Sequence, residues 1–529
     1  MSLTERVYNH LSLFDVSLAL LWMFVFFCLR EKLTNKHGPM LWPVFGITPE
    51  FFFHINDVYG WVTKSLRKCR GTFLYRGIWF DGSYGAVTCV PANVKYILKT
   101  NFKNFPKGTF FKDRFSDLLE DGIFNADDAS WKEQRRIIIT EMHSTRFMEH
   151  SFQTTQHLVR KKLLNVMESF ARSQEAFDLQ DVLLRLTFDI ICIAGLGADP
   201  ETLASDLPRV PFAKAFEEAT ESTLFRFMIP PFIWKPMKFF DIGYERGLRK
   251  AIEAVHGFVD KMIVDRICKL KDEETLDNRS DVLTRIIQIE SHHKNGNEID
   301  PSTIRFFRQF CTSFILAGRD TSSVALSWFF WVIQRHPEVE NKIICEIREI
   351  LRQRGELNKS ESSLFTVREL NKMVYLQAAI SETLRLYPPI PMEMKQAIED
   401  DVFPDGTFIR KGSRVYFSIY AMGRMESIWG KDCETFRPER WIQAGKFVSD
   451  DQFKYVVFNA GPRLCIGKTF AYLQMKMIAA SVLSRYSIKV AKDHAVVPRV
   501  TTNLYMKHGL KVTITPRSLE EKKIESCSM

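Results

Sequence analysis

Between Phe458 and Gly467 the chain reads FNAGPRLCIG, and this stretch restricts the fold more than any other. Two glycines and a proline make a tight, stiff turn, and glycine lets backbone approach a flat neighbour closely. The turn carries one cysteine, Cys465, and runs into GKTFAYLQMKMIAASVL, a helical pattern. The positive end of that helix and the nearby Arg463 favour thiolate and predict a lowered pKa for Cys465. A lone cysteine is more often a small buried hydrophobe than a ligand. If it is a ligand, it cannot close a structural zinc site, which takes four protein ligands. A lone thiolate suits a cofactor that brings its other ligands with it, as a haem does with its four ring nitrogens.

Enclosing such a group takes a large body, and the chain has one. It is 529 residues long, 46% hydrophobic and 26% charged, with 44 phenylalanines that point to an aromatic interior or a greasy cavity. Residues 71–90 alternate around Asp81-Gly82 as a β-hairpin does, with a helix from about Pro91. Helical patterns then run from Ser130 to about Ser381, broken by charged loops at 271–280 and 353–363. A strand-rich patch covers Ala397 to Ser418, with turns at Asp405-Gly406 and Lys411-Gly412, and two short strand patterns close the chain. The fold class is mainly α with small β-sheets, in one large domain. A net charge of +10 is either a solvated basic surface or a face for an acidic partner or anionic membrane. Nothing resembles a nucleic-acid module. Ten scattered cysteines without a CxxC pair predict reduced thiols facing the cytosol.

The N-terminus is apolar. Leu11 to Leu29 holds one charge, Asp15, and comes near the roughly 20 residues that cross a bilayer. Arg30, Lys32 and Lys36 follow it, against Arg6 before it, which places the body in the cytosol. No small-residue cleavage site follows, so the segment reads as an uncleaved transmembrane anchor. The division is anchor and flanks at 1–36, a proline-rich hinge at 37–46, the main domain at 47–517 and a polar tail at 518–529.

Three further motifs lie in the body. FILAGRDTSSVALSWFFWVI, Phe314 to Ile333, sets Asp320 and Thr321 in an apolar helix that starts near Pro301, with Arg319 the only other charge nearby. Glu382 and Arg385, three apart on a helix, are followed by Phe436-Arg437-Pro438-Glu439-Arg440-Trp441. Trp131 and Arg135 are four apart, so they share a helix face and can reach one anionic group.

Phe458, Gly461, Arg463, Cys465 and Gly467 match the F-x-x-G-x-R-x-C-x-G signature of the cytochrome P450 superfamily, and the other motifs follow in that family's order. The resemblance implies the cytochrome P450 fold around haem b, with Cys465 as the axial ligand of the iron. It further implies Thr321 and Asp320 as the dioxygen-side hydroxyl and proton-relay acid, with Ala317 and Gly318 widening the helix beside the haem. Ser322 stands where a second threonine is commoner. Glu382, Arg385 and Arg440 become a structural triad. Trp131, Arg135 and Arg463 become propionate partners, with Lys395 a further candidate, and Phe458 packs near the sulfur and shields it.

No nucleotide-binding fingerprint is present, so NADPH-derived electrons would come through a separate membrane-bound reductase, docked near Lys468 and its neighbours. Gly423 to Trp441, Asp121 to Arg136 and Ala317 to Ser323 resemble the plant fatty-acid ω-hydroxylase branch. That resemblance implies long-chain fatty acids hydroxylated at the terminal methyl, for cutin, suberin or pollen wall, at the endoplasmic reticulum. Phe110, Phe111, Phe124, Ala317, Ile390 and Leu504 are the candidate substrate lining, and Leu224 to Phe240 a candidate apolar entrance at the membrane. An alkane, terpenoid or sterol substrate would keep every haem motif. A peroxide-isomerising enzyme, or a haem sensor or carrier, would have little use for Asp320 and Thr321.

Overall fold

The computed structural model describes residues 13–34, 38–78, 84–204, 207–272, 281–293, 301–356 and 364–517. The flank before Leu13, His37 of the hinge, the Asp81-Gly82 turn, loops 273–280 and 357–363 and the tail 518–529 lie outside them.

Helix α1 (Leu13–Thr34) stands apart with its apolar side chains open, Trp22 67% and Phe26 62% exposed. Among the described residues no helix is long and apolar enough to cross a membrane. The physical reason lies in α1 itself. Its uncharged run is Val16 to Leu29, fourteen residues between Asp15 and Arg30. At about 1.5 Å per residue that run is shorter than the ~30 Å hydrocarbon core. The hinge after it is pinned. Trp42 and Gly46 exchange backbone hydrogen bonds of 2.8 Å, and the Trp42 ring lies 6.4 Å from Phe24 and 6.3 Å from Phe53.

The sheets are small. β1 (Thr72–Arg76) and β2 (Tyr84–Thr88) form the expected antiparallel hairpin, and β3 is Phe177–Asp178. After the central helices come β4 (Met392–Gln396), β5 (Asp401–Val402), β6 (Phe408–Ile409) and β7 (Arg414–Ser418). β8 (Ile442–Gln443), β9 (Lys446–Phe447), β10 (Tyr486–Val490) and β11 (Lys511–Pro516) follow. The main sheet has the order β1-β2-β7-β4, and β10-β11-β3 makes a second. Strand β4 begins before the predicted patch at Ala397. Its sequence MEMKQ hides a strand, because Glu393 and Lys395 are tucked inward and paired, where exposed charge would normally stand.

The helices that build the site run in order α2 (Gly108–Leu119), α3 (Asp128–Met142), α4 (Leu179–Ile191), α5 (Pro211–Met228), α6 (Pro231–Phe239) and α7 (Gly243–Asp272). Then come α8 (Pro301–Ile315), α9 (Thr321–Ile333), α10 (Val374–Leu386) and α11 (Lys468–Leu483). Helix α9 is buried on all sides, through Trp328, Phe329, Phe330 and Ile333, as a helix at the centre of a core must be. It packs against α4, α10 and α11. Eight of the cysteines are free thiols. Cys345 is disulfide-bonded, which corrects the expectation of reduced thiols throughout; one cross-link does not make a disulfide scaffold.

Candidate active site

The cysteine turn is held by backbone. Cys465 N–H donates to the Phe458 carbonyl at 2.8 Å, and Arg135 of α3 reaches across to the Leu464 carbonyl at 2.6 Å. Gly461 has φ +60°, and a Cβ there would lie 2.3 Å from the Leu98 carbonyl oxygen. The close approach it permits is therefore to the chain's own backbone. At Gly467 a Cβ would meet Met142 at an ordinary 3.6 Å, so space does not demand glycine there. The Phe458 ring packs on Tyr472, 5.2 Å between centroids, with the Lys468 ammonium 5.6 Å away.

Cys465 is set among protein atoms yet presents open surface. Burial pushes its thiol up, against the Gly467 N–H, Arg135 and Lys468, which pull it down. The predicted lowering is corrected: desolvation of a charged sulfur outweighs the helix end. Arg463 is turned to Asp127 at 2.7 Å and to the Ala126 carbonyl at 2.9 Å.

Beside this turn, cations crowd. The Arg463 guanidinium lies 4.4 Å from the centre of the buried Trp131 ring, and Arg135 lies 5.8 Å from it. Lys395 is fully buried at 3.2 Å from Glu393, which also takes Lys107 at 2.5 Å. Burial first, then Lys107, push Lys395 down to about 7, while the two lysines keep Glu393 ionised down to about 2. Asp127 accepts the N–H groups of Lys107 and Gly108 and pairs with Lys112 and Arg463.

The second part of the site belongs to the central helix. Between α8 and α9 the segment Leu316–Asp320 is wound as a π-helix, a bulge frequent at functional sites. Ala317 is exposed and Thr321 half-buried there, in a helix otherwise sealed on every side. The Thr321 hydroxyl donates to the Ala317 carbonyl at 2.6 Å, which leaves its oxygen free to accept. A Cβ at Gly318 would lie 2.6 Å from Ile191 Cγ1, so this glycine admits α4. Asp320, 1% exposed, accepts from Arg319 at 2.8 Å and is hydrogen-bonded to the Tyr505 hydroxyl. Burial raises its carboxyl, against Arg319 and Tyr505. Arg319 then reaches Glu217 of α5 at 3.1 Å, and that side chain is 41% exposed.

The Glu382–Arg385 pair is bidentate at 2.8 Å, with no exposed side-chain surface on either residue. Arg440 approaches Glu382 at 3.4 Å, and Trp441 Nε1 donates to it at 2.9 Å. Arg385 also donates to the carbonyls of Gly423, Cys433 and Thr435.

The family profile described as Cytochrome P450 matches residues 37–515. The chain belongs to the cytochrome P450 family. It is 47% identical to cytochrome P450 86B1 of Arabidopsis thaliana over 508 residues, 95% of this chain and 90% of that one. It is 40% identical to cytochrome P450 94A2 of Vicia sativa, over 92% of each chain. With the alkane hydroxylase MAH1 of Arabidopsis thaliana it shares 34% identity over 94% of this chain and 97% of that one. Among solved structures it resembles the haem domain of cytochrome P450DA, with a TM-score of 0.71 at 20% identity over 87% of this chain and 94% of that one; this likeness shows the fold.

As a P450 the protein takes haem, and its own residues fit the group. Cys465 and Ala317 are exposed and Thr321 is half-buried. Arg463 Nε is buried with no partner among the described residues. Among the described residues Lys107, Lys112, Lys395 and Arg463 pair with two acids, Glu393 and Asp127, a surplus of positive charge that suits propionate carboxylates.

The expected P450 lining divides. Ile390 is exposed and Phe110, Phe111 and Phe124 are half-buried. Leu504 is 0% exposed and its side chain is taken up by the core. Its backbone instead ties the Pro389 carbonyl, at 2.8 Å, to the Trp328 indole, at 2.6 Å. Sequence reasoning missed Asp127, Lys107, Glu393, Glu217 and Tyr505. All but Glu393, two residues from Lys395, lie far along the chain from the residue they support, and Glu393 has its other partner, Lys107, 286 residues away.

Proposed function

We propose that the protein is a monooxygenase that hydroxylates long-chain fatty acids at the terminal methyl, for cutin, suberin or pollen-wall lipids. The observation that carries the reaction class is the pairing of an open Cys465 with the exposed Ala317 and the Thr321 hydroxyl on a π-wound central helix. Bound haem supplies the redox chemistry that activates dioxygen and inserts one atom into a C–H bond. Cys465 would offer its sulfur to the iron. Arg135, Arg463 and Lys395 would hold the propionate carboxylates of the haem. Thr321, its proton committed to Ala317, presents an acceptor oxygen. Asp320, raised by burial, is suited to hold and pass a proton, and Arg319 links it to solvent-exposed Glu217. Electrons come from NADPH through a separate membrane-bound reductase.

Residence on the endoplasmic reticulum, with the catalytic domain in the cytosol, is part of the same proposal. Exposed α1 supports it, with Asp15, Arg30 and Lys32 placed to reach headgroups from a short span. Phe239 at 82% and Phe240 at 67% exposure add a second apolar contact. The similarity to MAH1 favours a second reading, oxidation of alkanes, which have the same methyl end. Microsomes with reductase, NADPH and fatty acids or alkanes of graded length separate the readings, with product position read by mass spectrometry. Mid-chain products, or none from any acyl chain, would defeat the fatty-acid reading. Cys465→His should abolish the red-shifted Soret band of the ferrous–CO complex; a retained band removes Cys465 as the ligand.

A further inference from the structure

Two segments far apart in the chain reach Asp320. One is α5, through Glu217 and Arg319. The other is the turn from Pro498 to Met506, whose ends form an antiparallel bridge. Inside it the Arg499 N–H donates to the Tyr505 carbonyl at 2.7 Å, so these two residues stand opposite each other. The Tyr505 phenol is hydrogen-bonded to Asp320. The Arg499 guanidinium meets Glu221 of α5 at 2.6 Å. Glu221 follows Glu217 by four residues, which puts both acids on one face of that helix. The contacts close a ring that runs from Asp320 through Arg319, Glu217, one turn of α5, Glu221, Arg499 and Tyr505, and back to Asp320.

The turn is anchored independently of α5. The Tyr59 hydroxyl donates to the Thr501 carbonyl at 3.2 Å, and Leu504 joins Pro389 to the Trp328 indole. The Gln180 side chain accepts the Met506 N–H at 2.9 Å and donates to the Met506 carbonyl at 3.2 Å. The turn is therefore a fixed post, from which Arg499 extends to α5.

Charge gives the ring its sense. Glu217, Glu218 and Glu221 fall within five residues of α5, and like charges one helical turn apart repel. Burial raises the Glu221 carboxyl against Arg499, and Glu217 and Glu218 push it the same way as burial. Arg319 is shared between an inner acid, Asp320 at 2.8 Å, and an outer one, Glu217 at 3.1 Å. A Glu221 charge without Arg499 would add to that of Glu217 and draw Arg319 outward, away from Asp320.

We propose that Arg499 is a positioning residue for proton delivery, which neutralises Glu221 so that Arg319 stays shared between Glu217 and Asp320. The same turn sets Tyr505 on Asp320 from the other side. This rests on the proton role given to Asp320 and deepens it, since it ties that role to the seating of α5 against the turn.

The test uses the full-length enzyme with reductase and NADPH. Arg499 and Glu221 are 44% and 33% exposed, and a pair of this kind is worth a factor of about two to five. Arg499→Gln should therefore lower product formed per NADPH by about that factor and change the solvent isotope effect on turnover, with KM for the substrate unchanged. Arg499→Lys should recover most of the loss. Adding Glu221→Gln to Arg499→Gln removes the unpaired charge and should restore coupling. The infrared band of the protonated Asp320 carboxyl, identified by its loss in Asp320→Asn, should strengthen in Arg499→Gln and return in the double variant. An Arg499→Gln enzyme with normal coupling, a change in KM alone, or a loss that the double variant does not repair overturns the inference. Asp320→Asn with unchanged coupling removes the proton role and this inference with it; a damaging Asp320→Asn beside a silent Arg499→Gln removes the inference alone.

Discussion

Two ionic networks are buried in the molecule, and they differ in what holds their central acid. Glu382, Arg385 and Arg440 form a set saturated at its carboxylate, which Arg440 continues to Asp432 at 3.2 Å. The carboxylate takes both arginines and the Trp441 indole, and Arg385 spends its remaining donors on backbone carbonyls of residues 423–435. Such a set fixes one segment of chain against helix α10. Asp320, Arg319 and Glu217 form an open set, buried at one end and 41% exposed at the other. A raised acid with one link to a partly exposed carboxylate suits carrying protons; a carboxylate saturated by two arginines and an indole suits holding shape.

The contrast can be broken from either side. The largest effect should come from Glu382→Ala, which leaves Arg385 buried without its carboxylate and should cost about 3–5 kcal/mol. Denaturant unfolding would show it, and a loss under 1 kcal/mol would mean the triad holds nothing. Asp320→Asn keeps the shape and removes the acid. General acid–base catalysis contributes 10²–10⁴-fold, so turnover should fall by about a hundredfold with little change in unfolding. Thr321→Ala should raise NADPH consumption per product formed. Gly318→Ala drives a methyl into Ile191, and overpacking of this kind costs about 1–3 kcal/mol; thermal unfolding checks it. Glu217→Gln is the smallest in stability, below about 1 kcal/mol because the partly exposed pair is screened. It should nevertheless change the solvent isotope effect on turnover. An unchanged isotope effect would close the open network and end the contrast.

The sequence made some parts of this site plain and hid others for stated reasons. The cysteine turn, the Trp131–Arg135 pair and the Glu382–Arg385 pair each lie within a single turn or helix, and local spacing is enough to place them. The Asp320–Thr321 pair was legible too, since an acid in an apolar helix stands out. Strand β4 was not, because its charges are paired inside and read as surface. The two-residue strands β3, β8 and β9 are too short to carry any period. Helix α1 was legible as apolar, while its length against a bilayer depended on which charges bound it.

By itself the sequence determined the family, the order of the motifs and a mostly helical body with small sheets, because these rest on residues close in the chain. Only the tertiary structure decided how charge is settled. It turned Arg463 to Asp127, pushed the Cys465 thiol up, joined Asp320 to Glu217 and set Arg499 on Glu221. The physical reason is that desolvation and Coulomb attraction depend on distance through space, and the partners here come from helices and strands tens to hundreds of residues apart in the chain.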